Sequence, residues 1–214
     1  MATLKNGILG PIEGPVARVT GYIRLGVPVL RAKPDPETVR VRSEKQIAAN
    51  SRFGFAMKFV KAATPFLNVG FSTSRAPGQT AHNVAVSHVL RAVVGEHPDL
   101  HFSYDNICVS EGSLPEALNP SVEQTTTRTL KFTWEEPEKQ SYQRSQDQAM
   151  LLAYLPDENT VFYTTSGARR SARQDFLEVY SGQPGLVFET YIAFISDDRK
   201  KVSKSIYTGK VVIA

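Results

Sequence analysis

The stretch LVFETYIAFI at residues 186–195, with VSKSIYTGKVVI at residues 202–213, decides the fold of this chain. Two runs rich in β-branched and aromatic residues flank the charged turn SDDRKK, a pattern typical of two antiparallel strands. Alternate residues of the first run divide into two faces, with Phe188 on one and Tyr191 on the other, and both faces are largely apolar. We therefore predict that this strand lies in the interior of a sheet rather than at its edge.

The remainder of the C-terminal half also alternates strand-like runs with turns. Together with the two runs above, the strand-like segments are residues 121–126, 129–134, 148–155, 160–165, 172–179, 186–195 and 202–213. Seven short strands at this spacing are typical of an all-β sandwich. Trp134 and Tyr191 each lie on an alternating apolar run, so we expect both to be buried in the sandwich.

The N-terminal segment, residues 6–33, carries five glycines among apolar and basic residues. The spacing of its glycines and prolines excludes a long helix. We predict one strand over residues 15–24 and a partner over residues 27–32, with Leu25 and Gly26 in the turn. A phosphate-binding loop is disfavoured, because no GxxxxGK[ST] motif occurs and prolines remove amides that such a loop would use.

Two helices are predicted to follow. Residues 43–46, SEKQ, fit a capping box, and Pro65 is expected to end the first helix at about residue 63. The second helix is predicted over about residues 80–94, with Gly95 as a left-handed C-cap.

We expect a strand at residues 100–109 and place the domain boundary in the loop after it, near residue 112. The chain is therefore predicted to be α+β, with two domains. Residues 1–112 would form a module of short strands and a helix pair, and residues 113–214 would form the seven-stranded β-sandwich.

The composition is that of an ordinary globular chain. The 214 residues are 41% hydrophobic and 21% charged, with a formal net charge of +4. The single cysteine, Cys108, excludes an internal disulfide, and its apolar neighbours favour burial over a nucleophilic role. The first residues lack the apolar core of a signal peptide, and no apolar run approaches the length of a membrane span. We expect a cytoplasmic location, with a virion or a route of export that needs no classical signal left open.

The sequence offers little that predicts chemistry. It contains no GxSxG, HExxH, CxxC, Walker or dinucleotide motif. His97 and His101 are separated by Pro98 and so cannot share a helix face as zinc ligands do. The acidic pairs in loops, and the basic patch at Arg169, Arg170 and Arg173, are interpreted as surface positions. We therefore expect no enzyme activity, no catalytic residue, no metal and no cofactor.

Two surfaces are candidates for binding. The N-terminal strands carry apolar side chains that a short segment would not leave in water, namely Ile8, Leu9, Ile12, Val16, Val19, Tyr22 and Ile23. Their pairing partner would be a sheet of the same chain or of a neighbouring chain. On the first helix, Arg52, Lys58 and Lys61 are basic and would suit a polyanion such as nucleic acid, although a solvated helix surface is the commoner interpretation.

The chain resembles two known groups of proteins. LKFTW at residues 130–134, with TYIAFIS and KVSKSIYTGKVVI further on, resembles a fibronectin type III-like, immunoglobulin-like sandwich. Over nearly its full length the chain also resembles an uncharacterised domain-of-unknown-function family that is common in Bacteroidota. The motifs that carry this second resemblance are KNGILG, SEKQIAANSRFGFAMKFV, HNVAVSHVL and SYDNICVSEGSLPEALN.

The first-helix motif is also similar to segments of phage-like structural proteins, although Asn50 stands where such segments often carry arginine. The resemblances imply no activity and no cofactor. We expect a non-enzymatic structural protein that forms homo-oligomeric, virion-like or filament-like assemblies, with itself or other structural proteins, through its N-terminal module. The alternative is a module that binds a glycan or protein with sandwich loops 135–146 and 166–171. The second alternative is a nucleic-acid contact through the first helix.

Overall fold

A computed structural model of the protein describes residues 2–4, 7, 10–34, 41–136, 142–179 and 184–213. The chain divides into two compact units, an N-terminal unit of residues 1–43 and a C-terminal unit of residues 44–214. The N-terminal unit is built of short strands, whereas the C-terminal unit combines helices with larger sheets. The fold is mixed α+β, as predicted.

The N-terminal unit is an antiparallel meander of four strands in the order β1-β2-β3-β4. The strands are β1 (Thr3–Leu4), β2 (Ile12–Val16), β3 (Val19–Arg24) and β4 (Val27–Ala32). The prediction of a single strand over residues 15–24 is wrong, because the chain turns at Ala17, whose φ is 48°. The predicted turn at Leu25 and Gly26 is confirmed: φ is 49° and 82°, as a two-residue type I′ hairpin turn requires.

The C-terminal unit contains the seven predicted strands in two antiparallel sheets. The strands are β7 (Leu118–Thr126), β8 (Thr129–Glu135), β9 (Gln148–Leu155), β10 (Thr160–Thr164), β11 (Gln174–Glu178), β12 (Val187–Ile195) and β13 (Ile206–Val212). One sheet has the order β11-β8-β7 and the other the order β10-β9-β12-β13. The two sheets share one apolar core, as layers of a sandwich do. The finer assignment, to an immunoglobulin-like or fibronectin type III-like fold, stays a prediction.

Strand β12 has the interior position that its sequence predicted. It pairs with β9 on one side and β13 on the other. From Phe188 to Ile195 every residue is buried, although neighbours face opposite directions. Phe188 and Phe194 belong to the core between the two sheets, whereas Tyr191 and Ile195 belong to a second core on the other face.

Helices cover that second face. The C-terminal unit holds α1 (Glu44–Gly70), α2 (Ala81–Ala92) and a single turn, α3 (Tyr142–Ser145). Phe59 of α1 packs edge-on against Tyr154 of β9, with ring centroids 4.8 Å apart. The second core therefore lies between the helix pair and the four-stranded sheet.

This layering confirms one prediction and corrects two others. Trp134 lies between the sheets and is 3% exposed, with its indole N–H donated to the carbonyl of Arg170 at 2.7 Å. Tyr191 is also buried, but beneath the helices rather than inside the sandwich. The boundary predicted near residue 112 has to move to residues 43 and 44, because the helix pair and the strands share a core.

The strand predicted at residues 100–109 is short in the structure. Only β6 (His101–Phe102) forms, paired with β5 (Val93–Val94), and a 3₁₀ turn follows at Tyr104–Asn106. Hydroxyl groups then attach this segment to the end of the chain. Ser110 donates to the carbonyl of Ser203 at 2.8 Å, and the Ser205 hydroxyl accepts from the Val109 amide at 2.9 Å.

Helix α1 starts directly after the predicted cap but continues through Pro65, which was expected to end it. Pro65 removes one intrahelical hydrogen bond. Phe66 and Leu67 beyond it are buried, so packing of the last turn offsets that loss. Helix α2 ends at Ala92 rather than at residue 94, because the next two residues pair with β6 as β5. Gly95 is left-handed, as predicted, with φ of 90°, but it follows β5 and not the helix.

Two glycines of α1 allow a test of this docking. A Cβ added at Gly70 would overlap the carbonyl oxygen of Val109 and lie 2.8 Å from the Cβ of Ser110, whereas one at Gly54 would meet nothing within 4 Å. We expect Gly70→Ala to lower the free energy of unfolding by about 1–3 kcal/mol. Gly54→Ala should raise it by about 0.5–1 kcal/mol through helix propensity.

Urea denaturation of both variants measures these two effects. Equal stabilisation by the two substitutions would show that the end of α1 does not approach residues 109–110 this closely.

Candidate interaction surface

One face of the N-terminal sheet is apolar along strands β2 to β4. The register places Val16 opposite Val19, Ile23 opposite Pro28, and Gly21 opposite Leu30. Because side chains alternate along a strand, one side of the sheet collects a set of residues without a polar or charged side chain. We call this set the apolar face: Val16, Val19, Gly21, Ile23, Pro28, Leu30 and Ala32.

Most side chains of the apolar face are exposed, although the backbone of Ile12 crosses the face at Gly21. Leu30 is 63% exposed, and Val16, Ile23 and Val19 are 48%, 45% and 38% exposed. Among the described residues of the N-terminal unit, no apolar side chain is buried. A sheet of this size needs a covered apolar face to be stable. The unit therefore lacks a core that its own described residues would supply.

Glycine shapes the centre of this face. Gly21 is buried because the backbone of Ile12 crosses it: an added Cβ would overlap the Ile12 carbonyl. Strand β2 bends at Gly14, where φ is 110°, a conformation that favours glycine. Ile12 thereby lies over β3.

The structure describes five of the seven residues predicted for assembly. Ile12, Val16, Val19, Tyr22 and Ile23 all lie in β2 or β3, and all except Ile12 are largely exposed. Tyr22 is on the opposite face, because it neighbours Ile23 along β3.

The remaining two predicted residues, Ile8 and Leu9, lie outside the described residues. The sequence reasoning missed Leu30, the most exposed residue of the apolar face. The alternation in VPVLRA, residues 27–32, was the signal for it.

The opposite face carries charge. Thr20, Tyr22 and Arg24 of β3 stand beside Arg31, Val29 and Val27 of β4 on that side. Residues 1–43 contain seven Lys or Arg and three Asp or Glu, so the formal charge of +4 belongs entirely to this unit. One side of the N-terminal sheet thus has no charged side chain, whereas the other side carries arginines beside exposed apolar residues such as Val27.

The basic residues of α1 have different surroundings. Arg52 donates to the carbonyls of Leu90 and Val93, at 3.2 and 2.7 Å, where α2 ends. These bonds satisfy acceptors that a helix end leaves open. Lys58 lies 5.8 Å from the ring centre of Phe55, and Lys61 is exposed. A polyanion contact through these three residues stays a prediction, and Arg52 has a structural role besides.

The predicted binding loop at residues 166–171 is attached to β9. Gly167 donates its amide to the Ala149 carbonyl at 2.9 Å, and Ala149 donates to Ala168 at 2.8 Å. The Ala168 amide is bound in turn by the carboxylate of Asp175 at 2.8 Å. The amides of Gly167 and Ala168 are therefore already bonded within the protein and do not contribute to ligand binding. In the other predicted loop, residues 137–141 lie outside the described residues.

Arg170, which was interpreted as a surface residue, is buried and only 2% exposed. Its guanidinium donates to the carbonyls of Pro115 and Glu116 at 2.8 and 3.2 Å, and its carbon lies 3.6 Å from the ring centre of Phe194. Asp147 is 3.6 Å away. Burial lowers the pKa of Arg170 to about 10 and raises the pKa of Asp147. This ion pair ties residues 115–116 to the core.

A cleft opens beside the ion pair. It has a volume of about 570 Å³ and is lined by three segments, two of which contribute charged side chains. The lining charges are Arg144, Asp147, Asp197, Asp198 and Lys201. This cleft, unlike loop 166–171, has room for a small polar ligand.

Four tyrosines lie in or beside the core beneath the helices. Tyr191 donates to the carbonyl of Tyr104 at 2.8 Å, and Tyr207 donates to the carboxylate of Glu189 at 2.5 Å. Burial raises the pKa of Tyr104 and of Tyr154 to about 12, and it also raises the pKa values of Tyr191 and Tyr207. These phenols hold their protons at neutral pH and serve packing.

The remaining polar groups offer little for metal or thiolate chemistry. Within the described ranges, no three His, Cys, Asp or Glu side chains are grouped so as to hold a metal ion. Cys108 donates to the Ser110 carbonyl at 3.0 Å, and burial raises the pKa of its thiol, which opposes nucleophilic use. Among the helices that the structure describes, none is long and apolar enough to cross a membrane.

The role of Arg52 can be separated from general basicity. Arg52→Ala removes two hydrogen bonds at the end of α2 and should lower the free energy of unfolding by about 1–2 kcal/mol. The matched control Lys61→Ala, on the exposed side of the same helix, should change it by less than about 0.5 kcal/mol. Denaturant midpoints give both values, and equal values for the two variants would contradict the structural role.

The raised pKa values of these tyrosines predict how the protein responds to alkali. Their folded-state pKa values lie above the usual value of 10.0, so the stability they contribute is complete below pH 10.0 and is lost as the pH rises towards about 12. We expect their phenolate absorbance to appear together with loss of the far-ultraviolet circular dichroism signal. If every tyrosine ionised near pH 10 with the native signal retained, the burial of this cluster would be refuted.

Comparison with known proteins gives the relationship of the chain. Among curated proteins, none matches it. A family model described as a family of unknown function, DUF6266, matches residues 11–209. The match begins just before β2, ends within β13 and so includes most of both units. The predicted resemblance to a domain-of-unknown-function family is thereby confirmed, and the chain belongs to the family DUF6266.

Proposed function

We propose that this protein is a non-enzymatic structural protein, and that its N-terminal sheet is the element through which chains assemble. The observation that carries the proposal is the apolar face, which is exposed while the described residues of the unit bury no apolar side chain. An open apolar face on a sheet is typical of a surface that another chain covers. The partners are further copies of this chain or other structural proteins.

The magnitude of the effect is adequate for association. Val16, Val19, Ile23 and Leu30 are each roughly half exposed. Full burial of such a side chain contributes about 1.5–3 kcal/mol, so covering the exposed half of these four contributes on the order of 3–6 kcal/mol per copy. Part of this gain is offset by the entropy lost on association. The face is therefore sufficient for a weak contact that many copies would strengthen by avidity.

The buried polar groups of the C-terminal unit support a structural role as well. Arg170 is engaged with backbone carbonyls and with Asp147, and the hydroxyls of Ser110 and Ser205 link distant segments. Each of these groups makes its contacts within the fold. This arrangement favours a rigid body that carries an assembly element.

A binding module remains the second candidate, because the charged cleft of about 570 Å³ would accommodate a small polar or glycan ligand. This candidate predicts a monomer whose ligand contacts depend on Arg144 and Lys201. The assembly proposal predicts a defined oligomer that depends on the N-terminal unit. The mass of the protein in solution therefore separates the two.

The test is removal of residues 1–43, the N-terminal unit. Sedimentation velocity over a range of concentrations should show oligomers for the full chain and a monomer for the truncated chain. The truncated chain should keep the far-ultraviolet circular dichroism of the C-terminal unit, because both apolar cores lie within residues 44–214.

Two results would overturn the proposal. A full chain that is strictly monomeric at high concentration would remove it and put the binding module ahead. Oligomers that persist after the truncation would show that the N-terminal sheet is not the assembly element.

A further inference from the structure

We propose that the charged cleft of the C-terminal unit binds a small anionic ligand that carries hydroxyl groups, a class that includes sugar phosphates and sugar acids. The inference does not depend on the assembly role of the N-terminal sheet, because the residues that line the cleft lie in the C-terminal unit. It follows from two unpaired buried atoms beside the cleft, from the exposed charges of its lining, and from the hydrogen bonds that hold the lining in place.

The hydroxyl group is indicated by the buried ion pair beside the cleft. Asp147, which lines the cleft, and its partner Arg170 are each only 2% exposed. The Oδ2 atom of Asp147 lies 3.6 Å from the Nε atom of Arg170, which is too far for a hydrogen bond. In the described part of the chain, neither atom has a hydrogen-bond partner. Buried polar atoms are nearly always paired, so the ion pair lacks one polar group.

A hydroxyl is the group that suits both atoms. The carboxylate oxygen needs a donor and the Nε–H group needs an acceptor, and a hydroxyl is both. An ammonium group only donates, and a phosphate or carboxylate oxygen only accepts. An added ammonium would also be repelled by two arginines: burial raises the pKa of Asp147, and the positive charges of Arg170 and Arg144 oppose that rise. Because Asp147 belongs to the lining, the cleft is the side from which the hydroxyl would approach.

The anionic group is indicated by the exposed charges of the lining. Arg144 and Lys201 are exposed, and within the described ranges their side chains have no ion pair or hydrogen bond. Asp198 pairs with Lys200 at 4.0 Å, whereas Asp197 is exposed and opposes an anion. Two cations of the described lining therefore stand against one exposed acid. Guanidinium and ammonium groups are the side-chain groups that proteins use to bind phosphate and carboxylate.

Hydrogen bonds hold two segments of the lining at the end of β12. Ser196 donates its amide to the Lys201 carbonyl at 2.9 Å, and its hydroxyl accepts from the Lys201 amide at 3.0 Å. Leu114 donates its amide to the Val202 carbonyl at 3.0 Å. A preformed site loses less free energy in ordering its own side chains when a ligand binds. The volume of about 570 Å³ lies within the range of small-molecule sites and has room for a monosaccharide with one anionic group.

Two lysines of the same segment give a matched test. Lys201 lines the cleft, whereas Lys204 is equally exposed and lies outside the lining. Each is replaced by alanine in the full-length chain, and binding is measured by ligand-observed saturation-transfer NMR. The probes are glucose 6-phosphate and glucuronate, which carry both kinds of group, glucose, which lacks the anion, and methyl phosphate, which lacks the sugar hydroxyls.

We expect glucose 6-phosphate or glucuronate to bind about tenfold more tightly than glucose and methyl phosphate, and the tighter of the two identifies the anion. Lys201→Ala and Arg144→Ala should each weaken this binding by about tenfold, because each removes a cation from the cleft. Lys204→Ala should change it by less than about twofold, since it removes the same charge outside the cleft. Circular dichroism confirms that the variants are folded.

The outcomes separate the parts of the inference. Equal weakening by Lys201→Ala and Lys204→Ala would attribute the binding to general surface charge and overturn the site. Equal affinity for glucose would overturn the anionic group, and equal affinity for methyl phosphate would overturn the hydroxyl. If no probe bound saturably below about 10 mM, the whole inference would be overturned.

Sedimentation velocity of the same chains measures assembly separately from ligand binding. A failure of the cleft site therefore leaves the proposed assembly role standing, and a monomeric parent leaves the cleft site standing.

Discussion

The arrangement of the C-terminal unit depends on β12 being covered on both faces. Both faces of this strand are apolar, and a two-layer sandwich alone would leave one of them in water. The three-stranded sheet covers Phe188 and Phe194, and the helix pair covers Tyr191 and Ile195. Three layers follow from this single constraint. The helices therefore belong to the same unit as the strands, even though they precede them in sequence.

Strand positions were predictable because alternation is a local property. The seven strands of the C-terminal unit lie close to their predicted ranges, and so do the hairpin at Leu25 and Gly26 and the cap position of α1. The errors arose where distant contacts override local preference. Pro65 remains within a helix because the residues beyond it are buried. Arg170 is buried because backbone carbonyls about 55 residues away accept hydrogen bonds from its guanidinium.

The candidate interaction surface was likewise predictable only in part. Apolar spacing identified Val16, Val19 and Ile23, but the single strand predicted over residues 15–24 would have placed Val16 and Val19 on opposite faces. Which face a residue occupies depends on register, and register depends on the turn at Ala17, which the sequence reasoning did not predict. The domain boundary was misplaced for a related reason. It was set by a change of local pattern at residue 112, whereas a domain is defined by a shared core.

The distance along the chain between the helices and the strand they cover has a consequence for biosynthesis. Helix α1 ends at Gly70, but β12 begins at Val187, so the apolar side of α1 leaves the ribosome long before its covering strand exists. At about 5–20 residues per second, that interval lasts roughly 6–25 seconds. During it, the core that contains Phe59 and Phe66 lacks the side chains that β12 contributes, and the C-terminal unit cannot complete its fold until nearly all of its sequence has been translated.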